Sequence, residues 1–276
     1  MKKSITGIII YSFLLLYLVV SLYPLLYLLF ISLKNNSEIF LTNPLGFPNP
    51  MRFSNYLHAV QSFNIPLYFR NSLIVTTISI MVLLVFSLTF SYAAARLVWR
   101  GSRLASNYIM VGLFIPTQVI LIPLAVLVRD MNIANTHTAL ILPYIAFNLA
   151  FSTMIFYGFF RTIPFEIEES AYIDGASIYR TFVQIMLPLM RPAIATVTIF
   201  AFLSIWNEYP IALILITNMQ MKTLPTGLLS FTGQFSTDWG PMAAAMVLAS
   251  IPMITVYLIL GNQVERALSM GAAVKG

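Results

Sequence analysis

Nine acidic residues and two histidines are the carboxylates and imidazoles that this 276-residue chain offers for acid–base or metal chemistry. Four of the nine stand together. Glu166, Glu168, Glu169 and Asp174 fall within residues 161–192, RTIPFEIEESAYIDGASIYRTFVQIMLPLMRP. Another, Glu208, stands in Trp206-Asn207-Glu208-Tyr209-Pro210, well inside an apolar stretch. Cysteine is absent, which excludes disulfides and thiolate metal sites. His58 and His137 are isolated, and their spacing suits surface residues rather than metal ligands. The chain contains no GxxxxGK(S/T), HExxH or GxSxG pattern, so that route to nucleotide hydrolysis and two common hydrolase sites are missing. What is left is the chemistry of charge in or beside a bilayer.

The elements that must position these groups are apolar spans. Hydrophobic residues make up 59% of the chain and charged residues 9%, against about 25% charged in soluble proteins. That is the composition of an all-α polytopic membrane protein. Six apolar stretches stand out, at 7–33, 71–95, 107–128, 139–160, 193–216 and 240–261. Met1-Lys2-Lys3 begins like a signal peptide. The apolar run behind it exceeds a typical h-region of about 7–15 residues and lacks an Ala-x-Ala site, so it is expected to be a retained first span. Prolines 116 and 123 interrupt the third stretch, and the second is rich in Ser and Thr, which suits packing between helices in lipid.

Six spans place both termini on one side. With that side cytoplasmic, the inner segments hold Lys2, Lys3, Arg96, Arg100, Arg103, Arg161, Arg180, Arg191, Arg266 and Lys275. The outer ones hold Lys34, Arg52, Arg70, Arg129 and Lys222, so the count is ten against five. The positive-inside rule therefore puts both termini and residues 161–192 in the cytoplasm. The net charge of +6 is explained by this topology rather than by nucleic-acid binding, since the basic residues are scattered singly. Residues 1–138 and 139–276 show no convincing repeat, which weighs against a secondary transporter built from repeated halves.

Residues 161–192 read as two short helices around a bend. Pro164 suits a first helical position, and Glu166, Glu168 and Glu169 then favour the positive end of the helix dipole. Gly175 is the natural stop. Ser177 can cap a second helix carrying Ile178, Phe182, Ile185 and Met186 on one side. The bend is made of small residues, Ala171, Gly175, Ala176 and Ser177, a knob fit to enter a groove on another protein. Periodicity alone allows an amphipathic hairpin on the membrane surface equally well.

Glu208 in a span costs at least about 2.5 kcal/mol unless it meets water or a partner. Pro210 should bend the helix near Trp206. At about 1.5 Å per residue, Glu208 lies about 22 Å from residue 193, past the midplane. It lines a pathway, or it pairs with a neighbouring subunit or approaches the outer interface. Gln118, beside Pro116, and Asn148 are weaker pathway candidates that an interhelical hydrogen bond would also explain.

Glu169-Ser170-Ala171, then Gly175, then Ile185-Met186-Leu187-Pro188 resembles the cytoplasmic EAA loop of ABC importer permeases, with Ser170 where the family usually has Ala. Asp174-Gly175-Ala176 fits as well. Ser32-Leu33-Lys34, Glu38-Ile39-Phe40, Asn55-Tyr56, the Trp-Asn-Glu-aromatic run and the ending from Arg266 to Gly276 are similar to sugar-type, MalG-like permeases. The resemblance implies a type I ABC importer permease fold. It divides the chain into 1–69, the first helix and outer loop; 70–262, the transmembrane domain with its coupling loop 161–192; and 263–276, a cytoplasmic tail. It implies ATPase docking through Glu169, Ser170, Ala171, Asp174, Gly175, Ala176, Ile185, Leu187 and Pro188. A substrate pathway near Trp206, Asn207, Glu208, Tyr209, Gln118 and Asn148 is expected.

The resemblance further implies a subunit of a multi-pass importer in a bacterial or archaeal cell membrane. It would bind no cofactor, leave ATP and Mg to its partners, and have no ATPase site of its own. Its expected partners are a second permease, two ATP-binding subunits, an external binding protein and the bilayer, with no nucleic acid. The expected cargo is a carbohydrate, an oligosaccharide first and a glycerol-phosphate or other polyol second. The alternatives from other classes are a proton-coupled secondary transporter using Glu208, an intramembrane enzyme, for which the sequence offers no catalytic constellation, and, as the residual case, a structural membrane scaffold.

Overall fold

The computed structural model describes residues 2–233 and 237–273. Its helices in chain order are α1 (Lys2–Ser32), α2 (Ser54–Ser62), α3 (Ile65–Arg96), α4 (Ser102–Val111), α5 (Thr117–Asp130), α6 (Thr138–Thr162) and α7 (Glu166–Ile173). Then follow α8 (Ile178–Thr181), α9 (Leu187–Leu189), α10 (Arg191–Trp206), α11 (Pro210–Leu215), α12 (Leu224–Gly227) and α13 (Trp239–Ala273). Among the described residues there is no strand, only an isolated bridge between Thr232 and Thr237.

Among the described residues four segments are long and apolar enough to cross a membrane: Gly7–Ser32, Ile65–Arg96, Thr138–Thr162 and Trp239–Gln263. The third and fifth expected stretches are broken helices. Ser102–Phe114 meets α5 at 103°, with Pro116 extended at the corner. The stretch 193–216 divides into α10 and α11 at Asn207–Tyr209, just ahead of Pro210, as the missing proline N–H dictates. The run Ile178–Leu189 meets α10 at 72°. Helix α13 continues well past the expected sixth stretch, so the segment 263–276 begins as helix; residues 274–276 lie outside the described residues.

The chain forms two compact units. The first joins Met1–Leu67 to Gly227–Ile251. Its polar segment after α1 is organised by Lys34, which is fully buried and donates to the carbonyls of Asn43 (2.6 Å), Pro44 (3.3 Å) and Gly46 (2.7 Å). An ammonium has three donors, and burial is tolerated because all three are met. Asn55 donates to the carbonyls of Ser32 and Lys34, at 2.9 and 2.8 Å. Gly240 lets α13 start hard against this turn: a Cβ there would stand 2.4 Å from the Lys34 carbonyl oxygen. His58 faces Asp238 at 3.5 Å, both half-exposed, in keeping with a surface role.

The second unit joins Tyr68–Thr226 to Pro252–Gly276. The buried side of α3 carries Ser72, Thr76, Ser79, Ser87 and Ser91, small polar residues that allow close helix approach. Ser91 donates to the Thr153 carbonyl of α6 at 3.1 Å. A core of Leu88, Tyr92, Phe156, Phe160, Met186, Met190, Ala193 and Val197 joins α3, α6 and α10 to the run before α10. His137 is not the surface residue expected. It is partly buried, burial and secondarily the charge of Arg70 lower its pKa, and its Nε2 has no partner among the described residues.

Candidate functional site

Where α3 and α6 end, one arginine ties three helices together. The Arg96 side chain is buried, and its Nε donates to Oε2 of Glu168, itself buried. Its Nη1 donates to the carbonyls of Phe160 (3.2 Å) and Ile163 (2.9 Å), and its Nη2 to that of Pro164 (3.3 Å). The last carbonyls of a helix have no partner within the helix, so a cation there satisfies both the hydrogen bonds and the dipole. Tyr92 donates to the other Glu168 oxygen at 2.9 Å. Phe165 lies under the guanidinium, 3.7 Å from its ring centroid. The angle between α6 and α7 is thus set by a fully engaged ion pair.

Beyond this clamp the chain turns as anticipated at Gly175, whose φ of +77° is the left-handed conformation that favours glycine. Ser177 then caps α8, accepting from the Arg180 N–H at 3.3 Å. Two expectations are corrected. Helix α7 starts at Glu166 rather than at Pro164, because the chain is extended at Ile163 and the Pro164 carbonyl is engaged by Arg96. Ile178 does not share the packed side with Met186: it is exposed, because residues Phe182–Met186 form a wider π turn that shifts the helical register.

Of the expected docking residues, Glu169, Ser170, Asp174, Gly175 and Pro188 are exposed, Ala176, Ile185 and Leu187 half-buried, and Ala171 buried. Around the turn Tyr172, Ile173 (86% exposed), Ile178 and Tyr179 (77%) present apolar surface. Arg96, Tyr92 and Glu168 were missed as members of this site. The available signal was a basic residue ending one span and an extra glutamate beside the motif.

The second candidate lies at the α10–α11 break. Glu208 accepts from the Tyr144 hydroxyl (2.6 Å) and from the N–H groups of Ile211 (2.7 Å) and Ala212 (3.0 Å). It supplies the acceptors that the restarted helix lacks. Glu208, Tyr144, Gln118 and Asn148 line a cavity of about 250 Å³ with Thr117 and Ser204. Three of the expected pathway residues therefore meet. Trp206, Asn207 and Tyr209 do not line it. Trp206 is buried against Phe202 and Phe69 at 5.3 and 5.6 Å, Asn207 folds back to the Leu203 carbonyl at 2.9 Å, and Tyr209 is the residue before α11. Tyr144 was missed, though it stands one turn before Asn148 on the same face of α6, where it could have been sought. Among the described residues no His, Asp or Glu cluster could hold a metal.

The fold is that of ABC importer permeases. A bacterial ABC transporter involved in importing the acidic polysaccharide alginate matches with a TM-score of 0.83 at 21% identity, over 95% of this chain and 97% of that one. Relatives cover nearly as much. The diacetylchitobiose uptake system permease protein NgcG of Streptomyces coelicolor is 34% identical over 95% of this chain and 87% of its own length. The probable ABC transporter permease protein YurM of Bacillus subtilis is 32% identical over 97% and 88%. The family model for the binding-protein-dependent transport system inner membrane component matches residues 87–270, which hold both the Arg96 clamp and the Glu208 cavity, and this chain belongs to that family.

Proposed function

We propose that this chain is the membrane-spanning subunit of an ATP-driven oligosaccharide importer, and that the turn at Gly175 is the contact through which an ATPase subunit moves it. The observation that carries the proposal is the pairing of an exposed, apolar, left-handed turn with a buried ion pair at its base. A short helix locked to two spans transmits a rigid-body displacement, whereas a flexible linker would absorb it. In this reading Glu169, Ser170, Ala171, Asp174, Gly175 and Ala176 dock into the ATPase, and Ile185, Leu187 and Pro188 anchor the returning arm. The docked face is then cytoplasmic, with both termini on that side of the cell membrane.

A second permease, two ATP-binding subunits that use ATP and Mg, and an external binding protein complete the machine. This chain contributes no nucleotide site of its own. ATP-driven closure of the ATPase pair draws the docked loops together and opens the pathway outward, and hydrolysis resets it. The cavity at Glu208, Tyr144, Gln118 and Asn148 is the part of that pathway this chain supplies; its hydroxyl, amide and carboxylate groups suit sugar hydroxyls. The relative named for diacetylchitobiose uptake supports an oligosaccharide cargo. A glycerol-phosphate or polyol remains the second choice.

The test uses the assembled importer in proteoliposomes. Gly175→Arg should leave the subunit inserted and assembled while uptake and binding-protein-stimulated ATP hydrolysis fall to background. Asp174→Cys should cross-link to a nucleotide-binding subunit. Wild-type uptake and stimulation in Gly175→Arg would overturn the docking assignment. Uptake that persists without any ATPase but stops with a protonophore would favour the proton-coupled alternative.

A further inference from the structure

A second cavity, of about 830 Å³, opens between the start of α4 and the end of α6. Arg103 and Arg161 both line it, with Asn107, Trp99 and Tyr157, and no carboxylate is among its lining residues. Among the described residues Arg103 has no hydrogen bond or ion pair, and Arg161 has only its placement 5.8 Å from the Tyr157 ring centroid. The wall between them is fixed. Trp99 donates its Nε1–H to the Ala93 carbonyl at 3.0 Å, and the Ser106 hydroxyl donates to the Ser102 carbonyl at 2.9 Å. Helix α4 also begins here at Gly101, which has no side chain to cap it, so its first N–H groups add to the same positive field.

Topology explains why arginines occur near the end of a span. It does not explain two uncompensated guanidiniums converging on one concave, aromatic-walled space. Such a space selects an anion with a large polar head, and guanidinium is the group that binds phosphate in a fork. Two sources could supply a phosphate: a soluble ion or a lipid. The surroundings favour the lipid. The cavity stands at the first turn of the apolar stretch Ser102–Phe114, where Leu104 and Tyr108 are 76% and 80% exposed. A soluble anion would use the arginines alone, whereas an amphiphile uses both the arginines and this apolar flank.

We propose that this cavity binds the phosphodiester headgroup of an anionic phospholipid, with Arg103 and Arg161 as its two cationic contacts and the acyl chains lying along α4. The site is distinct from the Gly175 turn and from the Glu208 cavity, and it would tie the α4–α6 contact to the composition of the surrounding bilayer.

The test uses the assembled importer in nanodiscs of phosphatidylcholine doped with phosphatidylglycerol. Lipids that stay bound after release are counted by native mass spectrometry. The wild type should retain phosphatidylglycerol over phosphatidylcholine by roughly thirtyfold, on the scale of two basic contacts. Arg103→Gln with Arg161→Gln should abolish that preference. Asn107→Trp, which narrows the cavity without changing its charge, should abolish it as well, and it serves if the double variant does not assemble. Excess inorganic phosphate should leave the lipid in place. Equal retention of the two lipids by the wild type would overturn the proposal, as would an unchanged preference in the variants. Displacement of the lipid by inorganic phosphate would show a soluble-anion site instead and overturn the lipid assignment.

Discussion

Glu168 and Glu208 both stand where one helix gives way to another, and the fold treats them differently. Glu168 meets a full positive charge, with its second oxygen filled by the Tyr92 hydroxyl. Glu208 accepts three hydrogen bonds from neutral donors, two of them backbone N–H groups of α11, and it borders a cavity. The first arrangement binds α3, α6 and α7 into one body. The second satisfies the start of α11 but leaves one side of the carboxylate open to whatever enters the cavity. Under the proposed function, the sealed and counter-charged Glu168 would transmit force, and Glu208, held by neutral contacts, would stay accessible at the edge of the pathway.

The largest effect should come from breaking the sealed pair. Arg96→Met leaves Glu168 buried without its cation and frees the carbonyls of Ile163 and Pro164. The cost should be about 3–5 kcal/mol, read as lower thermal stability in detergent. Arg96→Met with Glu168→Met should recover most of that loss, because an apolar pair of similar volume removes the uncompensated charge. The recovered variant then asks whether the ion pair matters for coupling as well as for folding. Normal transport would show that packing alone keeps α7 rigid. If Arg96→Met melted like the wild type, the contrast with Glu208 would vanish.

Much of this architecture was legible in the sequence. Six apolar stretches, the interruption at Pro116 and the bend ahead of Pro210 follow from hydropathy and from proline's missing donor, whereas Pro123, expected to interrupt the third stretch as well, lies inside the continuous helix α5. The turn at Gly175 and the Ser177 cap follow from local backbone preferences. The legible features are local, and the illegible ones join distant residues. Arg96 read as one more loop cation because the positive-inside rule accounts for it without a partner, and Glu168 lies 72 residues away. Lys34 was counted only as a cation of an outer segment, yet the chain folds three carbonyls onto it. Gln118, Asn148 and Glu208 were expected near one pathway together with Trp206, Asn207 and Tyr209. No periodicity says that the 103° corner at Pro116 brings Gln118 to Asn148 and Glu208.

Loss of Glu208 should rank second. Glu208→Ala removes the acceptors for Tyr144, Ile211 and Ala212 together and should cost about 2 kcal/mol. Glu208→Gln keeps one acceptor oxygen and should cost about 1 kcal/mol, the order of a single neutral hydrogen bond. A Glu208→Gln loss as large as that of Arg96→Met would mean that Glu208 has a charged partner elsewhere in the complex, and the two sites would be alike after all. The phenols sharpen the comparison further. Tyr92→Phe and Tyr144→Phe each delete one hydroxyl bonded to a carboxylate, and each should cost about 1.5 kcal/mol. Their transport phenotypes should separate: Tyr144→Phe alters a cavity wall and should shift the apparent KM for substrate, while Tyr92→Phe should leave KM unchanged.

A stability effect no larger than that of Glu208→Gln is expected at Gly175, which belongs to neither carboxylate and reports on the turn that the sealed pair supports. A Cβ built there would meet nothing within 4 Å, so substitution brings no clash within the chain and only the strain of a φ of +77° remains. Gly175→Ala should therefore cost about 1 kcal/mol, and Gly175→Asn less, because asparagine tolerates that conformation. The two variants separate backbone strain from docking. If transport in Gly175→Ala and Gly175→Asn falls in proportion to the strain, the turn's geometry limits coupling. If both transport normally while Gly175→Arg does not, the limit is the room that the partner leaves around the turn. That second outcome is the one expected, because the open space at this position belongs to the isolated chain and docking would fill it.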